Sequence, residues 1–383
     1  MRRKSPYIHD QPGWPQFRWD SEKVAKPLAA VRHQQGRLIG HMEALGFPLR
    51  QEAVLQTLTE DVVKSSEIEG EVLDAEQVRS SVARRLGMDV GGLKAPDRDV
   101  EGVVEMMLDA TRHFDQPLTA ERLFAWHASL FPTGRSGMRK IRTGAWREDA
   151  AGPMQVVSGP IGRERVHFEA PGGERIDREM RVFLDWINDA GQDAEPDLVV
   201  KAGLAHLWFV TIHPFDDGNG RIARAIADLV LARSEGSPRR YYSLSAQIRR
   251  ERKAYYEILE QTQKGTLDVT PWLDWFLACL GRAIDGAQTT LALVLSKARF
   301  WQELHDSGIN DRQHHMLNLL LDGFEGSLTT SKWAKIAKCS PDTALRDILD
   351  LVERRVLVRG LEGGRSTSYR LGEQVGSRRV AGD

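Results

Sequence analysis

Hydrophobic and polar residues follow one another along most of this chain at helical spacing. From Ser21 onwards Val24, Leu28, Val31 and Leu38 recur on one side of a predicted helix, as in a stripe that packs on a core. The same periodicity predicts further helices over about residues 52–69, 74–86, 99–114, 119–131, 198–212 and 221–235. We therefore expect an all-α fold for most of the chain.

Two of these helices have recognisable start signals. Asp74 and Gln77 form a capping-box pattern, and Thr119 stands where a helix N-cap is expected. The segment 198–212 is apolar on nearly every side, which is typical of a fully buried helix. A buried helix is a rigid support for the residue that follows it, His213.

The region 142–176 interrupts the helical pattern with many glycines and prolines. Residues 154–158 alternate weakly between apolar and polar, and residues 166–168 are suited to pair with them. We expect a small β-hairpin here.

The C-terminal part has a pattern of its own. Helices are expected over residues 310–322, 331–338 and 341–354, followed by two short strands around a Gly-Gly turn. Three helices and a hairpin are the plan of a winged-helix module, which we expect over residues 304–371, with a tail over 372–383. Residues 328–383 contain 11 Lys and Arg against 7 Asp and Glu, a net charge of +4. This mild excess leaves DNA contact and protein contact equally open.

The overall composition excludes some classes of protein. The 383 residues carry 53 Lys and Arg against 54 Asp and Glu, so no overall basic charge indicates nucleic-acid or membrane binding. Two cysteines are too few for a disulfide framework, and no apolar run is long enough to span a bilayer. We expect a cytoplasmic protein without membrane contact.

The chemistry is concentrated in residues 213–224. Gly218, Asn219 and Gly220 leave backbone amides unhindered directly before a predicted helix, and a helix N-terminus of this kind suits an anion. Arg221 and Arg224 lie three residues apart, on one face, where both guanidinium groups are able to grip phosphate oxygens.

Two further side chains complete this stretch. Asp217 is a hard oxygen ligand of the type that Mg²⁺ prefers. His213 is the one side chain here with a pKa near neutrality, so it is suited to take a proton from an attacking hydroxyl. Together these residues predict a phosphate-handling site with a metal ligand and a base.

The stretch resembles, without a gap, the Fic motif HxFx(D/E)GNGRxxR. The resemblance implies a Fic helical core that transfers AMP from ATP to Ser, Thr or Tyr hydroxyls of proteins, with pyrophosphate leaving. It makes His213 the catalytic base and Asp217 the Mg²⁺ ligand, with ATP as substrate. The implied nucleotide contacts are Gly218, Asn219, Gly220, Arg221 and Arg224.

A second segment is similar to the inhibitory motif (S/T)xxxE(G/N) of the same family. Ser65, Glu69 and Gly70 match it, and the resemblance implies that Glu69 pairs with Arg224 and so inhibits ATP binding. Because the motif precedes the core in one chain, the arrangement resembles class II. We expect an N-terminal helical domain over residues 1–95, with the motif at 65–70, and a catalytic core over 96–290.

The family resemblance also suggests residues outside these two motifs. Tyr255, Tyr256 and Gln263 are at positions that contact adenosine in relatives. The hairpin corresponds to the target-docking flap, for which the candidate residues are Val156, Val157, Ser158 and Gly159.

Two other functions fit the same residues. One is a hydrolase that removes AMP from modified proteins, with Glu69 orienting the water. The other is a DNA-binding regulator whose core senses nucleotide. The sequence does not identify the target protein, which could be this chain itself. It also leaves open whether the protein is a monomer or a homodimer.

Overall fold

The computed structural model describes residues 7–88, 95–149, 152–160, 163, 165–189, 196–304, 307–321, 324, 326–360 and 367–372. The expected tail, from residue 373 onwards, lies outside the described residues. The chain divides into two compact units, Met1–Thr290 and Leu291–Asp383.

The first unit is helical with two small hairpins. After a 3₁₀ turn at Ile8–Asp10, its elements are α1 (Ser21–Glu43), α2 (Phe47–Ile68), α3 (Ala75–Arg85), α4 (Arg98–Arg112), α5 (Ala120–Leu130), β1 (Arg135–Ser136), β2 (Arg139–Lys140), β3 (Gln155–Ser158), β4 (Arg165–Glu169), α6 (Gly173–Asn188), α7 (Leu198–Ile212), α8 (Asn219–Glu235), α9 (Leu244–Arg250) and α10 (Arg252–Gln263). Helix α11 (Thr270–Glu303) runs across the boundary between the two units.

The predicted helices are confirmed with small changes at their ends. Helix α2 begins about five residues earlier than expected, at Phe47. The Asp74 cap is confirmed, since its carboxylate accepts from the amides of Glu76 and Gln77. The second half of the capping box is wrong: the Gln77 side chain pairs with Asp97, at the start of α4, through bonds of 2.7 and 3.1 Å.

Helices α7 and α8 form the centre of this unit. They pack on each other, and α8 also contacts α2, α4, α5 and α9. Every residue from Val199 to Ile212 is buried, as the apolar sequence of α7 predicts. Among the described residues, no helix has both the length and the apolarity needed to cross a membrane.

Both hairpins of the first unit are antiparallel. The pairing of β3 with β4 confirms the predicted hairpin, with a register shift between Val156 and Val157. The pairing of β1 with β2 was not predicted, because each strand has only two residues and too few positions to show an alternation.

The second unit contains α12 (Asp311–Leu321), α13 (Thr330–Ile336), α14 (Pro341–Glu353), β5 (Leu357–Arg359) and β6 (Tyr369–Leu371). Its buried core includes Phe300, Met316, Trp333, Ile348 and Leu351. Strands β5 and β6 pair antiparallel. The order of elements is the expected one, and the winged-helix assignment stays a prediction.

Candidate active site

His213 lies directly after α7, at its C-terminal end. Its backbone is left-handed, with φ 54° and ψ 56°, a conformation that is uncommon for a residue with a side chain. Its Nδ1 atom lies 3.2 Å from the carbonyl oxygen of Val210, so a proton on Nδ1 donates there and Nε2 of the neutral ring is an acceptor. Burial lowers the pKa of His213 to about 4, against the opposing effect of the Val210 carbonyl. The imidazole is therefore neutral at pH 7.

The loop after His213 is closed by Asn219. The Asn219 side chain accepts from the amide of Phe215 at 3.0 Å and donates to the carbonyl of Phe215 at 2.8 Å. Phe215 is fully buried and stacks on His127, with 4.2 Å between ring centroids. These two bonds fix the Asn219 side chain to the backbone of the loop, so its role in the structure is to close the turn before α8.

Glycine at position 218 is required for this turn. Gly218 has φ 79°, and a Cβ there would lie 2.9 Å from the ring of Phe131. The turn therefore brings the first amides of α8 into place without a side chain above them.

Arg224 is held by the end of α2. Its Nε donates to Ser65 Oγ at 2.9 Å, and its Nη2 donates to the Ser65 carbonyl at 2.8 Å and lies 2.8 Å from Glu69 Oε1. The side chain is 1 % exposed. Burial opposes the charge of Arg224, but the Glu69 carboxylate raises its pKa above the usual value. The arginine is thus charged, buried and engaged.

The remaining nitrogen of Arg224 faces the start of α8. Its Nη1 is buried and has no hydrogen-bond partner among the described residues. A Cβ at Gly220 would lie 3.3 Å from this nitrogen and 2.2 Å from Glu69 Oε1. Glu69 therefore lies against the first turn of α8, where an anion would bind.

Arg221 has a different partner, Glu71. Its Nη1 donates to Glu71 Oε2, and its guanidinium lies 5.1 Å from the centroid of the Phe131 ring. Sequence reasoning missed Glu71 because it lies outside both motifs.

Asp217 is half-buried beside the glycine turn. One carboxylate oxygen accepts from the Ser136 hydroxyl and the other from the amide of Gly218, at 2.6 Å. Within the described parts of the chain, no three His, Cys, Asp or Glu side chains are grouped as a metal site. A single carboxylate matches Mg²⁺ that takes its other ligands from phosphates and water.

The expected adenosine contacts differ in their surroundings. Tyr255 is buried, and its hydroxyl lies 2.8 Å from His206 Nε2. Tyr256 is 38 % exposed and donates to the Ile68 carbonyl at 3.3 Å. Gln263 is buried and donates to Thr211 Oγ1 at 3.3 Å. Of the three, only Tyr256 presents a surface to solvent beside the end of α2.

The predicted flap residues lie on or beside an exposed strand. Val156 to Ser158 belong to β3, and Gly159 follows with φ 104°. Sheet β3–β4 has two strands, so in the described part of the chain the outer edge of β3 is not covered by a third strand. Val157 is 47 % exposed.

A chain of polar side chains ties the flap to α10. Ser158 Oγ lies 2.5 Å from His167 Nε2, and His167 Nδ1 lies 2.7 Å from Glu260 Oε2. Arg165 and Lys264 contact the other oxygen of Glu260 at 3.1 and 2.6 Å. The flap and the helix that carries Tyr256 are thereby connected.

Arg147 binds the backbone of the loop that carries His213, and it was not identified from the sequence. Its Nε donates to the His213 carbonyl at 2.7 Å and its Nη2 to the Pro171 carbonyl at 2.6 Å. Its backbone amide donates to the Pro214 carbonyl at 2.9 Å. No periodicity or motif marks this residue, because its role depends on segments more than 20 residues away.

A histidine at the end of a buried helix, a glycine turn and two arginines at a helix N-terminus are brought together on a helical fold, as expected for a phosphate-handling site. Residues 117–231 match the Fic/DOC family, so this chain carries a Fic/DOC family domain. Residues 7–88, which include the end of α2, match a domain of unknown function (DUF4172).

Several proteins are similar to this chain. A protein adenylyltransferase Fic from Nematostella vectensis is 33% identical over 143 residues, which are 36% of this chain and 30% of that protein. Protein adenylyltransferase fic-1 from Caenorhabditis elegans is 33% identical over 88 residues, 23% of this chain and 16% of that protein. The chain thus spans less than a third of the length of these relatives.

One solved structure shares the fold over nearly the whole length. A Fic family protein from Desulfovibrio desulfuricans G20 is 21% identical, with a TM-score of 0.54 over 95% of this chain and 98% of that one. This likeness confirms the mostly helical Fic fold.

Proposed function

We propose that this protein is a protein adenylyltransferase that transfers AMP from ATP to a Ser, Thr or Tyr hydroxyl of a protein, and that Glu69 inhibits it. The observation that carries this proposal is Arg224. A charged, 1 % exposed arginine points its Nη1, which has no hydrogen-bond partner in the described part of the chain, at the start of α8 while a carboxylate occupies its Nη2. Such a nitrogen is suited to a phosphate oxygen that arrives when Glu69 leaves.

The reaction follows from the neutral His213. Its Nε2 takes the proton of the acceptor hydroxyl, and the hydroxyl oxygen forms a bond to the α-phosphorus of ATP. The bond from this phosphorus to the bridging oxygen of the β-phosphate breaks, and pyrophosphate leaves. The amides at the start of α8 and the two arginines stabilise charge on the phosphates.

Asp217 would hold Mg²⁺ together with the phosphates. When bound, the ion would neutralise charge on the departing pyrophosphate. Ser136 keeps the Asp217 carboxylate oriented by donating to one of its oxygens.

Inhibition follows from competition for Arg224. While Glu69 holds this arginine, the γ-phosphate of ATP lacks a cation to bind and meets a carboxylate instead. Activation then requires a ligand or partner that binds the released state more tightly.

The target protein would dock on the flap. The exposed outer edge of β3 is suited to pair with an extended target segment by strand addition, which would bring its hydroxyl to His213. The two cysteines, Cys279 and Cys339, are free, in keeping with the cytoplasmic location that we propose.

The test is transfer of label from ATP that carries a radioactive α-phosphate, to this chain and to lysate proteins. We expect Glu69→Gln to increase labelling about tenfold or more over the parent, because Arg224 becomes available. Adding His213→Ala or Arg224→Ala to Glu69→Gln should abolish the gain.

The matched control is Glu67→Gln. Glu67 lies in the same helix end but pairs with Lys64 and Arg249 instead of a motif arginine, so labelling should equal that of the parent. If Glu69→Gln is silent in the presence of Mg²⁺, the proposal is wrong. If the parent instead removes label from proteins that the variant has modified, the hydrolase is favoured.

A further inference from the structure

The end of α2 presents a second carboxylate to the candidate active site. Glu71 Oε2 accepts from Arg221 Nη1. The Arg221 side chain is only 3 % exposed, whereas that of Glu71 is 44 % exposed. The arginine is thus fixed inside the site, and its partner reaches in from the surface.

The backbone after α2 fixes both carboxylates at once. Gly70 has φ 90°, its amide donates to the Glu67 carbonyl at 3.2 Å, and the amide of Glu71 donates to the Ser66 carbonyl at 3.0 Å. This is the hydrogen-bond pattern of a helix that ends at a left-handed glycine. One turn of chain therefore holds Glu69 and Glu71 on either side of Gly70.

The two carboxylates meet the two arginines of α8 one to one. Glu69 takes Arg224 and Glu71 takes Arg221. Among the described residues, Glu71 is the only acidic side chain within 4 Å of the Arg221 guanidinium, whose Nε has no hydrogen-bond partner there. A buried guanidinium with one anionic partner binds another anion readily once that partner leaves.

We propose that Glu71 is a second residue that excludes ATP from this site, by holding Arg221 as Glu69 holds Arg224. This proposal rests on the proposed function, because it assumes that Arg221 and Arg224 both bind the terminal phosphates of ATP. Full ATP binding then requires that both carboxylates leave, and the shared turn at Gly70 lets one movement of the α2 end release both.

The carboxylates also disfavour one another. Burial raises the pKa of Glu71, and although Arg221 opposes this, the nearby charges of Asp217 and Glu69 raise it further. Three acidic groups around one anion site therefore depend on the two arginines to remain there together. Terminal phosphates that take over the arginines would remove this compensation.

The experiment measures binding of Mg-ATP by calorimetry in the His213→Ala background, in which ATP is not consumed. Four proteins are compared: the His213→Ala variant itself, and the same variant with Glu71→Gln, with Glu69→Gln or with both substitutions added. Each single substitution should tighten ATP binding about three- to tenfold. The affinity of the double variant for ATP should rise by more than the product of the two single-variant increases. The reason is that each single variant still has one arginine held by a glutamate.

AMP and a neighbouring glutamate provide the controls. AMP lacks the phosphates assigned to Arg221, so its affinity should not change on Glu71→Gln. Glu76→Gln alters an exposed glutamate in the first turn of α3 and should change neither affinity. Circular dichroism verifies the fold, and Glu71→Ala repeats the measurement with a side chain that accepts no hydrogen bond.

The outcomes separate the two proposals. If Glu69→Gln tightens ATP binding and Glu71→Gln and Glu71→Ala do not, the inference about Glu71 is overturned and the proposed function stands. Equal tightening of AMP and ATP by Glu71→Gln also overturns it. If no variant binds ATP more tightly and Glu69→Gln transfers no label, the proposed function itself fails.

Discussion

The backbone of His213 carries a conformational cost that its neighbours offset. A left-handed residue with a side chain is disfavoured by about 1–2 kcal/mol. The carbonyl of His213 accepts from Arg147 Nε, and the carbonyl of Pro214 accepts from the Arg147 amide. Because one arginine holds two consecutive carbonyls, the backbone that carries the His213 side chain is kept in this conformation.

Arg147→Lys tests this support. Lysine keeps the charge but lacks the planar fork that reaches the carbonyls of His213 and Pro171 together. We expect a loss of about 2 kcal/mol in the free energy of unfolding, measured in urea, because the Arg147 side chain is 1 % exposed. The control is Arg142→Lys, whose exposed side chain pairs with Glu148 and should change stability by less than about 0.5 kcal/mol. If both substitutions lower the free energy of unfolding equally, the hydrogen bonds of the Arg147 guanidinium do not stabilise the fold.

The pH dependence of the reaction tests His213 as the base. With a pKa of about 4, the ring is neutral and active above this pH and loses activity only as the pH falls through it. Glu69 raises this pKa, so the Glu69→Gln variant should keep the ring neutral to slightly lower pH. We expect its single-turnover rate at saturating ATP to change less than about twofold between pH 8 and pH 6. An acid limb centred near 6.5, the ordinary pKa of histidine, would contradict the lowered pKa of His213.

At the scale of elements, the flap and α10 are joined through one carboxylate. Burial alone would raise the pKa of Glu260, but hydrogen bonds from Lys264, His167 and Arg165 hold it at about 2. Three donors on one ionised group are a strong local tie. Strand β4 is thereby anchored to the helix that carries the expected adenosine contacts.

Glu260→Gln should loosen the flap without unfolding the protein. Losing the charge weakens the bonds to His167 and Arg165, and we expect amide hydrogen exchange in residues 165–169 to accelerate about tenfold. The matched control is Glu257→Gln on the same helix, whose 57 % exposed side chain lies 3.8 Å from Lys253. If exchange in β4 is unchanged, or rises equally in the control, Glu260 does not anchor the flap.

Much of the helical framework could be predicted because its causes are local. The apolar run of α7 and the caps at Asp74 and Thr119 depend on residues a few positions apart. The partner of Gln77 could not be predicted, since Asp97 becomes available only when α4 packs beside α3.

The same distinction applies to the candidate site. The motif residues of 213–224 were identified from their spacing, and the pairing of Glu69 with Arg224 agrees with the resemblance to the inhibitory motif. Glu71, Arg147 and Glu260 carry no such local mark. Each acts through a partner between 66 and 150 residues away, so only the folded chain brings them to the site.

At the scale of the whole molecule, the open question is whether the second unit binds DNA or another protein. Helix α14 occupies the position of a recognition helix in the expected winged-helix plan. Its sequence holds Asp342, Asp347, Asp350 and Glu353 against one basic residue, Arg346. Two of these carboxylates are already paired with arginines, and a single basic residue leaves the helix without the net positive charge that would attract the phosphates beside a major groove.

The exposed face of α14 favours a protein partner further. Leu345 and Leu349 are 40 % and 39 % exposed and lie four residues apart, on the same side of the helix. Base edges are read by hydrogen-bonding side chains, whereas paired leucines gain most from another apolar surface.

We expect fluorescence anisotropy with a labelled 20-base-pair duplex to give a dissociation constant weaker than about 1 μM at 150 mM salt, the range of non-specific binding. Arg346→Ala should leave it unchanged. Nanomolar binding that weakens steeply with salt and is lost in Arg346→Ala would instead assign α14 to DNA and revive the DNA-binding regulator.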